Sequence, residues 1–387
     1  MNTSFKIAAA LIATVSINAM AMAATPLQIT ATTNATQSST GMQTATAKDA
    51  NGKKSTTTAP TNANSVNVAQ YNTANGILTG ASVLVNTAVS TTIRVTGDVE
   101  DSGNGRTVAA EAALAGTVAG GGVSFTSSTL TANKGCSGNN CKQSPSNQTA
   151  TTSGSINSSA TVPLANLASY AGTGNVTFTQ SAAGSTKVTL GTKGKSGTAD
   201  GLFTFGGVTP ANNIYSITYD YLNFANPSFD GLTNVSSIDL DFGSLITGSG
   251  PITLNFSIFN IGNANSAGVS LNSIARSNNN ADFTTTLANF SDLVGGASSS
   301  FAMTFLPTVL GASTDTFTLD LADYAPAGSI GAKTYQLKVN TIGNVLAPPP
   351  PPVTSVPEPQ VWALLVAGFG LTGFGQRRRR ARMSVAA

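Results

Sequence analysis

Apolar and polar residues alternate with a period of two in many short segments, and this pattern constrains the fold more than any other feature of the chain. In residues 214–221, Tyr215, Ile217, Tyr219 and Tyr221 fall on one face of an extended segment. Other predicted strands are residues 77–85, 91–99, 123–130, 176–179, 252–258, 301–305, 317–321 and 335–339. Short strands separated by Gly, Asn and Ser turns predict an all-β protein built from antiparallel β-sandwiches.

Helical periodicity is almost absent, and the Ala-rich residues 108–119 are the one contender for a helix in the body of the chain. Residues 24–64 consist mainly of Thr, Ala, Ser and Asn, with a possible strand at residues 27–30. Because this segment has few large apolar side chains to bury, we expect it to be flexible or loosely packed. No repeat of 20 to 50 residues is evident, which disfavours solenoids and propellers.

Composition excludes several classes of function. Only 9% of the residues are charged, against about 25% in ordinary soluble proteins. The chain has no histidine, which removes Ser-His and Cys-His nucleophile pairs and all His-based metal sites. We therefore expect a non-enzymatic protein with no cofactor.

The positive charge of the chain is concentrated at its ends. Six of the 19 basic residues lie in residues 1–23 and in the tail after residue 375, which leaves 13 in the body against 15 of the 16 acidic residues. The body is therefore slightly acidic, and nothing in it predicts a cationic surface for nucleic acid.

Residues 1–23 have the pattern of a secretory signal peptide. Lys6 supplies the positive charge, residues 7–17 form an apolar stretch, and Ala21 and Ala23 surround Met22 in an A-x-A pattern. This predicts export through the Sec translocon and removal by signal peptidase after Ala23. The alternative is an uncleaved membrane anchor, for which the apolar stretch is short.

The C-terminal end begins with a proline-rich spacer at residues 344–355. Five consecutive prolines, residues 348–352, fix φ and lack backbone donors, so we expect a stiff polyproline II segment. The spacer leads into Val356, Pro357, Glu358 and Pro359.

An apolar stretch, residues 361–375, follows this motif and contains the only tryptophan, Trp362. As a helix it would be about 22 Å long, short against a hydrocarbon core of about 30 Å, yet able to cross a thinned bilayer. Four arginines follow it: Arg377, Arg378, Arg379 and Arg380. The arginines would hold the C-terminus on the cytoplasmic side, so the sequence predicts a short transmembrane helix with the body outside.

Residues 356–387 resemble the PEP-CTERM sorting signal of Gram-negative bacteria, in which a Pro-Glu-Pro triplet precedes a short transmembrane helix and an Arg cluster. The resemblance implies recognition of Pro357, Glu358 and Pro359 by an exosortase, an integral-membrane cysteine protease or transpeptidase. That enzyme would remove the helix and the Arg tail, so inner-membrane anchoring would be transient and the body would reach the cell surface or the extracellular matrix. A permanent single-span anchor is the alternative.

The body resembles two further families. Residues 65–224 are similar to the choice-of-anchor E domain through residues 76–80 (GILTG), 167–174 (LASYAGTG) and 217–221 (ITYDY). Residues 234–343 are similar to the immunoglobulin-like hydin or choice-of-anchor D type. That second likeness rests on residues 241–244 (DFGS), 259–264 (FNIGNA) and 301–307 (FAMTFLP). Both resemblances imply β-sandwich domains, and neither supplies a catalytic residue.

The two cysteines, Cys136 and Cys141, enclose a turn-forming loop. In an exported chain they predict a disulfide that pins the tip of a hairpin. A redox-active pair is the alternative, but the Cys-x-x-Cys spacing is absent.

An oxygen-rich turn offers a candidate Ca²⁺ site whose ligands would be Asp98, Glu100, Asp101 and Asn104. A solvated turn between strands is the preferred interpretation, because the twelve-residue Ca²⁺ loop with its terminal Glu is not present.

Carbohydrate chemistry has two candidate sites. Asp239 and Asp241 alternate on one strand and would be the carboxylate pair of a polysaccharide hydrolase or lyase, although a solvated face explains them as well. Tyr215, Tyr219 and Tyr221 would form an aromatic platform for sugar, or else pack in the core.

The preferred hypothesis is an exported, exosortase-processed, non-enzymatic surface or matrix protein associated with exopolysaccharide in a biofilm. Exposed Thr, Asn and Ser side chains suit hydrogen bonding to neutral hydrated polysaccharide. A carbohydrate-binding adhesin and a carboxylate-pair hydrolase are the alternatives.

Overall fold

A computed structural model describes residues 24–39, 42–48, 54–58, 62–99, 107–137, 148–191, 194–206, 213–351 and 359–383. The described chain forms two β-sandwiches and a C-terminal α-helix. We call the sandwiches the N-terminal lobe, residues 27–222, and the C-terminal lobe, residues 227–346. The predicted all-β class with two antiparallel sandwiches is confirmed.

The first sheet of the N-terminal lobe is organised around one 23-residue strand, β6. Its strands, numbered in chain order, are β1 (Leu27–Asn34), β2 (Ser38–Ser39), β3 (Gln43–Lys48), β6 (Ile77–Val99), β10 (Thr149–Thr161), β12 (Gly194–Phe205) and β13 (Asn213–Leu222). Along one edge β6 pairs first with β13 and then with β12, and along the other edge it pairs with β10. One long strand therefore connects all parts of a seven-stranded sheet.

The second sheet of this lobe packs against the first. Its six strands are β4 (Lys54–Thr58), β5 (Asn62–Ala69), β7 (Thr107–Gly120), β8 (Val123–Thr126), β9 (Leu130–Ser137) and β11 (Asn175–Leu190). Alternate residues of β7 and β11 face the first sheet, and Leu114, Phe178 and Phe203 are completely or almost completely buried between the two sheets.

The C-terminal lobe also has two sheets. The four-stranded sheet contains β14 (Pro227–Ser228), β16 (Ile252–Asn260), β18 (Phe283–Thr285) and β20 (Ser298–Phe305). The five-stranded sheet contains β15 (Ser237–Ile246), β17 (Gly268–Arg276), β19 (Phe290–Leu293), β21 (Gly311–Tyr324) and β22 (Thr334–Leu346). Strands β15 and β22 run parallel, and the rings of Phe283 and Phe305 stack in the core at 4.9 Å between centroids.

Period-two alternation places the cores as the sequence predicts. In β13 the side chains of Tyr215, Ile217 and Tyr219 are buried, and the residues between them face outward. The boundaries differ, because residues 77–85 and 91–99 belong to one strand, and residues 123–130 span β8 and the first residue of β9.

The possible strand at residues 27–30 is confirmed as part of β1. The expectation that the rest of residues 24–64 is flexible or loosely packed is wrong over the residues that the structure describes. They contain β1, β2, β3, β4 and the start of β5, and each of these strands pairs with a partner far away in sequence. Ala45 and Ala47 of β3 are buried in the first core. A strand beside β12 needs only a small inward side chain at such positions, so the absence of large apolar residues did not prevent burial.

The Ala-rich residues 108–119 lie in strand β7 and not in a helix. Its inward residues Val108, Ala110, Ala112 and Leu114 are buried, while the residues between them are partly or fully exposed. Alanine favours helices, but pairing with β9 and β11 on both sides overrides this preference.

Specific contacts hold the two lobes against each other. Leu78 and Ile330 exchange two backbone hydrogen bonds of 2.9 Å. The carboxylate of Asp323 accepts hydrogen bonds from the backbone N–H of Ala225 at 2.9 Å and of Lys333 at 2.7 Å. Ala225 belongs to the connection between the lobes, so Asp323 fixes that connection to the C-terminal lobe.

The C-terminal helix, α1 (Pro359–Met383), contains the predicted apolar stretch and continues through the arginines. No helix within the described residues has a segment long and apolar enough to span a membrane. The predicted transmembrane span is therefore wrong by this measure. The apolar stretch is interrupted by glycines and ends at Arg377, which leaves it well short of the roughly 20 residues that a bilayer requires.

Candidate functional site

The outer surface of the seven-stranded sheet is covered mainly by hydroxyl side chains, and we call it the hydroxyl face. Directly paired residues of neighbouring strands point to the same side of a sheet, so the strand register identifies its members. They are Thr30, Thr32, Ser82, Ser90, Thr92, Thr96, Thr151, Ser153, Thr161, Thr198, Thr204, Ser216 and Thr218. All of them are exposed or partly exposed.

These hydroxyls form rows that cross the strands. One row contains Thr30, Thr218, Ser82 and Thr161, contributed by β1, β13, β6 and β10 in that order. Neighbours within a row are about 4.7 to 4.9 Å apart, and successive outward residues of a strand are about 6.6 to 6.8 Å apart. The result is an array of hydroxyl rows, interrupted in the next row by the exposed side chain of Leu84, which lies between Ser216 and Ser159.

Hydrogen bonds between neighbouring hydroxyls order the array. The Oγ1 atoms of Thr30 and Thr218 are 3.1 Å apart, and those of Thr92 and Thr151 are 2.9 Å apart. Each hydroxyl has one proton and two lone pairs, so one such bond leaves capacity for a second partner. The array is therefore held in position without being saturated.

Two carboxylates on this face accept hydrogen bonds from neighbouring side chains, whereas Arg94 Nε is buried without a partner among the described residues. The carboxylate of Asp220 accepts a 2.7 Å hydrogen bond from Gln28 Nε2, and that of Asp200 accepts one of 2.7 Å from Thr44 Oγ1. Arg94 is the direct neighbour of Asp200 in the β12–β6 register. The face is close to electrically neutral.

The second sheet of the same lobe differs in chemistry. Glu111 of β7 lies opposite Lys187 of β11, and both line an open groove of about 270 Å³ that Lys134 of β9, the register partner of Ala110, also borders. Charged side chains mark this surface, so the neutral array belongs to one side of the lobe.

The tyrosines of β13 pack in the core and do not form an external platform. Tyr215 and Tyr219 are buried, and the Tyr219 hydroxyl donates a 2.6 Å hydrogen bond to the carbonyl oxygen of Ala69. Tyr221 is partly buried against the ring of Tyr71, 5.3 Å away. The core interpretation of these residues is confirmed, and the platform hypothesis is wrong.

Asp239 and Asp241 lie exposed on the edge strand β15. Asp239 Oδ1 accepts a 2.8 Å hydrogen bond from Asn340 Nδ2, and Asp241 Oδ1 accepts one of 2.8 Å from the backbone N–H of Gly243. Each carboxylate therefore holds local structure, and neither lines the groove beside Glu111 or the lobe-junction cavity described below.

The other predicted sites fall partly or wholly outside the described residues. Cys136 is buried in β9 and is not a free thiol, but Cys141 lies outside the described part, so their pairing stays a prediction. The Ca²⁺ candidates Glu100, Asp101 and Asn104 also lie outside it, as does the side chain of Asp98. Within the described residues, no three His, Cys, Asp or Glu side chains come together as a metal site.

The sorting motif Val356, Pro357 and Glu358 lies outside the described residues, and Pro359 is the first residue of α1. Every residue from Gln360 to Arg377 is exposed. Six large apolar side chains of this stretch are more than half exposed in addition to Val361 and Trp362: Leu364, Leu365, Val366, Phe369, Leu371 and Phe374. A helix that is apolar all round is normally buried, whereas the apolar side chains of α1 are left uncovered by the rest of the described chain.

A cavity of about 450 Å³ at the lobe junction was not anticipated from the sequence. Its one charged lining residue among those described is Asp292, which alternation patterns cannot distinguish from a solvated strand residue. The positive φ of this aspartate is visible only in the structure.

No protein-family model matches the chain, and no curated protein sequence matches it. Among solved structures, it is similar to the ASH/PapD-like domain 7 of human CEP192, with 12% identity, a TM-score of 0.22, and coverage of 29% of this chain and 82% of that one. It is also similar to WR4, a C. elegans MSP family member, with 14% identity, a TM-score of 0.20, and coverage of 26% and 91%. The Vibrio cholerae VesB protease matches with 16% identity, a TM-score of 0.20, and coverage of 32% and 36%. Scores at this level carry no argument about function.

Proposed function

We propose that this protein is an exported, non-enzymatic component of the cell surface or extracellular matrix, and that its hydroxyl face contacts neutral polysaccharide. The observation that carries the proposal is the ordered, nearly uncharged array of Ser and Thr hydroxyls across four neighbouring strands. A neutral glycan presents hydroxyls along its length, and these donate to and accept from such rows.

The energetics favour a broad, low-affinity contact. A single hydrogen bond exchanged with water contributes about 0.5 to 1.5 kcal/mol, so affinity depends on many hydroxyls acting together. The face has no aromatic side chain among its described members on which a sugar ring stacks. The expected mode is attachment along an extended polymer, and it is insensitive to salt because charges contribute little.

The tail supports the sorting part of the proposal. Helix α1 presents apolar side chains on all sides to solvent, directly after Pro357, Glu358 and Pro359. An integral-membrane exosortase that recognises this motif would cover that apolar surface before the tail is removed. Release of the tail would then remove this exposed apolar helix from the mature protein.

Binding tests the role of the hydroxyl face. The triple variant Thr30→Val, Ser82→Ala, Thr218→Val removes three hydroxyls of one row while nearly keeping side-chain volume. We expect its retention in affinity electrophoresis on neutral polysaccharide gels to weaken about tenfold or more, since each lost hydrogen bond contributes about 0.5 to 1.5 kcal/mol.

The C-terminal lobe supplies a matched control. Thr253 and Thr304 form an equivalent exposed hydroxyl pair, with 2.8 Å between their Oγ1 atoms. The variant Thr253→Val, Thr304→Val should bind like the wild type. Equal weakening in both variants, or none in either, would contradict a specific role for the hydroxyl face.

Intact-mass measurement tests the sorting. We expect the mature protein from its native host to lack the Arg tail, and replacement of Pro357, Glu358 and Pro359 by Ala to preserve it. A wild-type protein that keeps its Arg tail in that host would refute exosortase processing and leave the binding test unaffected.

A further inference from the structure

The cavity at the lobe junction is lined by parts of both lobes and by the first described residues of the chain. Ala24, Thr25 and Leu222 line it together with Asp292 and Tyr324 of the C-terminal lobe. Most of the remaining lining consists of Ala, Gly and Ser. The cavity is therefore a small-residue chamber of about 450 Å³ with one carboxylate.

Local structure holds this carboxylate in an unusual position. The pairing of β17 with β19 shifts register between Val269 and Leu271, and Asp292 has a left-handed φ of 55° there. A bulge of this kind redirects a side chain. Asp292 Oδ1 lies so close to Gly268 that a Cβ atom there would be 2.3 Å away. Glycine at position 268 thus makes room for the carboxylate.

Asp292 has no partner among the described residues. Its carboxylate takes part in no hydrogen bond or ion pair anywhere in the described chain, although the residue is half-buried. The neighbouring Asp323 contrasts with it, because its oxygens accept from Ala225, Lys333 and Tyr335. This carboxylate lines the cavity without a donor among the described residues, so the site is complementary to a cation.

The chain places its own N-terminal segment at this site. The Thr25 N–H donates to the carbonyl oxygen of Ala264 at 3.2 Å, and Asn265 Nδ2 donates to the carbonyl oxygen of Thr25 at 2.7 Å. Ala24 packs against the second core and lines the cavity. The predicted signal-peptidase site is the bond between Ala23 and Ala24.

We infer that the α-ammonium group created at Ala24 by signal-peptide cleavage binds the Asp292 carboxylate and completes the lobe junction. Hydrolysis of the Ala23–Ala24 peptide bond consumes one water and yields a carboxylate on Ala23 and an ammonium on Ala24. Before cleavage, position 24 presents only a neutral amide. Cleavage therefore places a positive charge on Ala24, which already lines the cavity that contains Asp292.

This inference rests on the export part of the proposed function and makes cleavage a step in maturation. The N-terminal segment would fasten the C-terminal lobe to β1 of the N-terminal lobe more firmly in the processed chain than in the precursor. The tie would act alongside the contact of Asp323 with Ala225.

Thermal unfolding of paired chains tests the ion pair. One chain begins at Ala24, and the other retains Met22 and Ala23, which moves the same α-amine two residues away. We expect the chain beginning at Ala24 to melt about 2 to 4 °C higher, the shift that corresponds to about 1 kcal/mol in a protein of this size class. Asp292→Asn should remove that difference, and Asp239→Asn, an exposed carboxylate on β15, should preserve it.

A second measurement distinguishes the ion pair from a general effect of the substitution on folding. Acetylation of the α-amine at pH 7 should be slower in the chain beginning at Ala24 than in the extended chain, and Asp292→Asn should accelerate it only in the former. Equal melting temperatures and equal acetylation rates for the two chains would overturn the ion pair while leaving the hydroxyl-face and sorting tests untouched. An exported protein whose first residue is not Ala24, determined by intact mass, would overturn both the maturation step and the predicted cleavage.

Discussion

Asp315 organises the buried polar contacts at one end of the C-terminal lobe, so its replacement gives a sharp test of the structure. Its carboxylate is 2% exposed and accepts hydrogen bonds from Arg276 Nε at 3.0 Å and Nη2 at 2.7 Å. The backbone N–H groups of Asn278, Asn280 and Thr316 donate to the same carboxylate at 3.0, 3.1 and 2.8 Å. One side chain thus fixes the loop after β17 to β21.

The size of the effect follows from this geometry. Asp315→Asn removes the charge that faces Arg276 and places an NH₂ group among donors. Removing one member of a buried ion pair costs about 3 to 5 kcal/mol, and the Arg276 side chain, 27% exposed, indicates the lower end. A loss of about 3 kcal/mol corresponds to a fall of roughly 6 to 12 °C in the melting temperature.

Scanning calorimetry is the suitable assay, because it separates the transitions of two lobes that need not unfold together. The matched control is Asp320→Asn on the same strand. Asp320 is exposed and accepts hydrogen bonds from Gln336 and Ser273, so its replacement should leave the melting temperature nearly unchanged. If Asp315→Asn melts within about 2 °C of the wild type, the expected magnitude is wrong.

Acid should produce the same loss in the wild type. Burial alone would raise the pKa of the Asp315 carboxyl, but hydrogen bonds from Asn278, Arg276, Asn280 and Thr316 outweigh it and hold the pKa below its usual value. A carboxyl with a depressed folded-state pKa stabilises the fold above its unfolded pKa and loses that contribution as pH falls through the folded-state value. The Asp315→Asn protein should therefore lose less stability than the wild type between pH 5 and pH 2.

Three further predictions concern the N-terminal lobe. Gly184→Val should lower the melting temperature of this lobe, because a Cβ at position 184 would lie 2.7 Å from the ring of Phe203. Overpacking of this kind costs about 1 to 3 kcal/mol. An unchanged melting temperature in calorimetry would refute this close approach. Burial raises the pKa of Tyr71 and of Tyr170 to about 12, so their contribution to the stability of the folded state is complete below pH 10 and is lost as the pH rises toward 12. Ultraviolet titration should therefore show these tyrosines ionising together with unfolding. Ionisation of all tyrosines near pH 10 in the folded protein would contradict this prediction. The non-reduced protein should show no reactive thiol. Reduction should make the thiols of Cys136 and the second cysteine reactive together and should add the mass of two hydrogen atoms. A thiol that reacts without reductant would refute the disulfide.

The strands with large alternating side chains were predictable from sequence. Tyr215, Ile217 and Tyr219 specify the inner face of β13 because a period of two matches only an extended chain with one buried side. Phe317, Leu319 and Leu321 do the same for β21. Where such side chains fill the core, local pattern and tertiary burial agree.

Apart from the start of β1, the first strands could not be predicted in the same way. Ala45 and Ala47 are buried because β3 pairs with β12, about 150 residues away in the chain. Nothing local distinguishes the Thr-Ala alternation of β3 from a disordered polar segment. The register that aligns Thr30 with Thr218 and Ser82 is also a long-range property, so the hydroxyl face was foreseen in composition but not in location.

The surface of the protein carries even less charge than the composition indicates, because several carboxylates of the C-terminal lobe accept hydrogen bonds from groups inside the protein. Asp282 is buried and accepts from Ser313 at 2.7 Å and from Thr308, while Asp315 and Asp323 fix a loop and the lobe connection. Each of these anions is satisfied by several donors, as a buried charge requires. Such residues add nothing to the outer field, so long-range electrostatics give the exposed sheets little means of attracting or repelling a partner. Asp292 departs from this rule, since it is half-buried and has no donor in the part of the chain that the structure describes. That contrast is the reason for assigning it a cation that arrives only when the chain is processed.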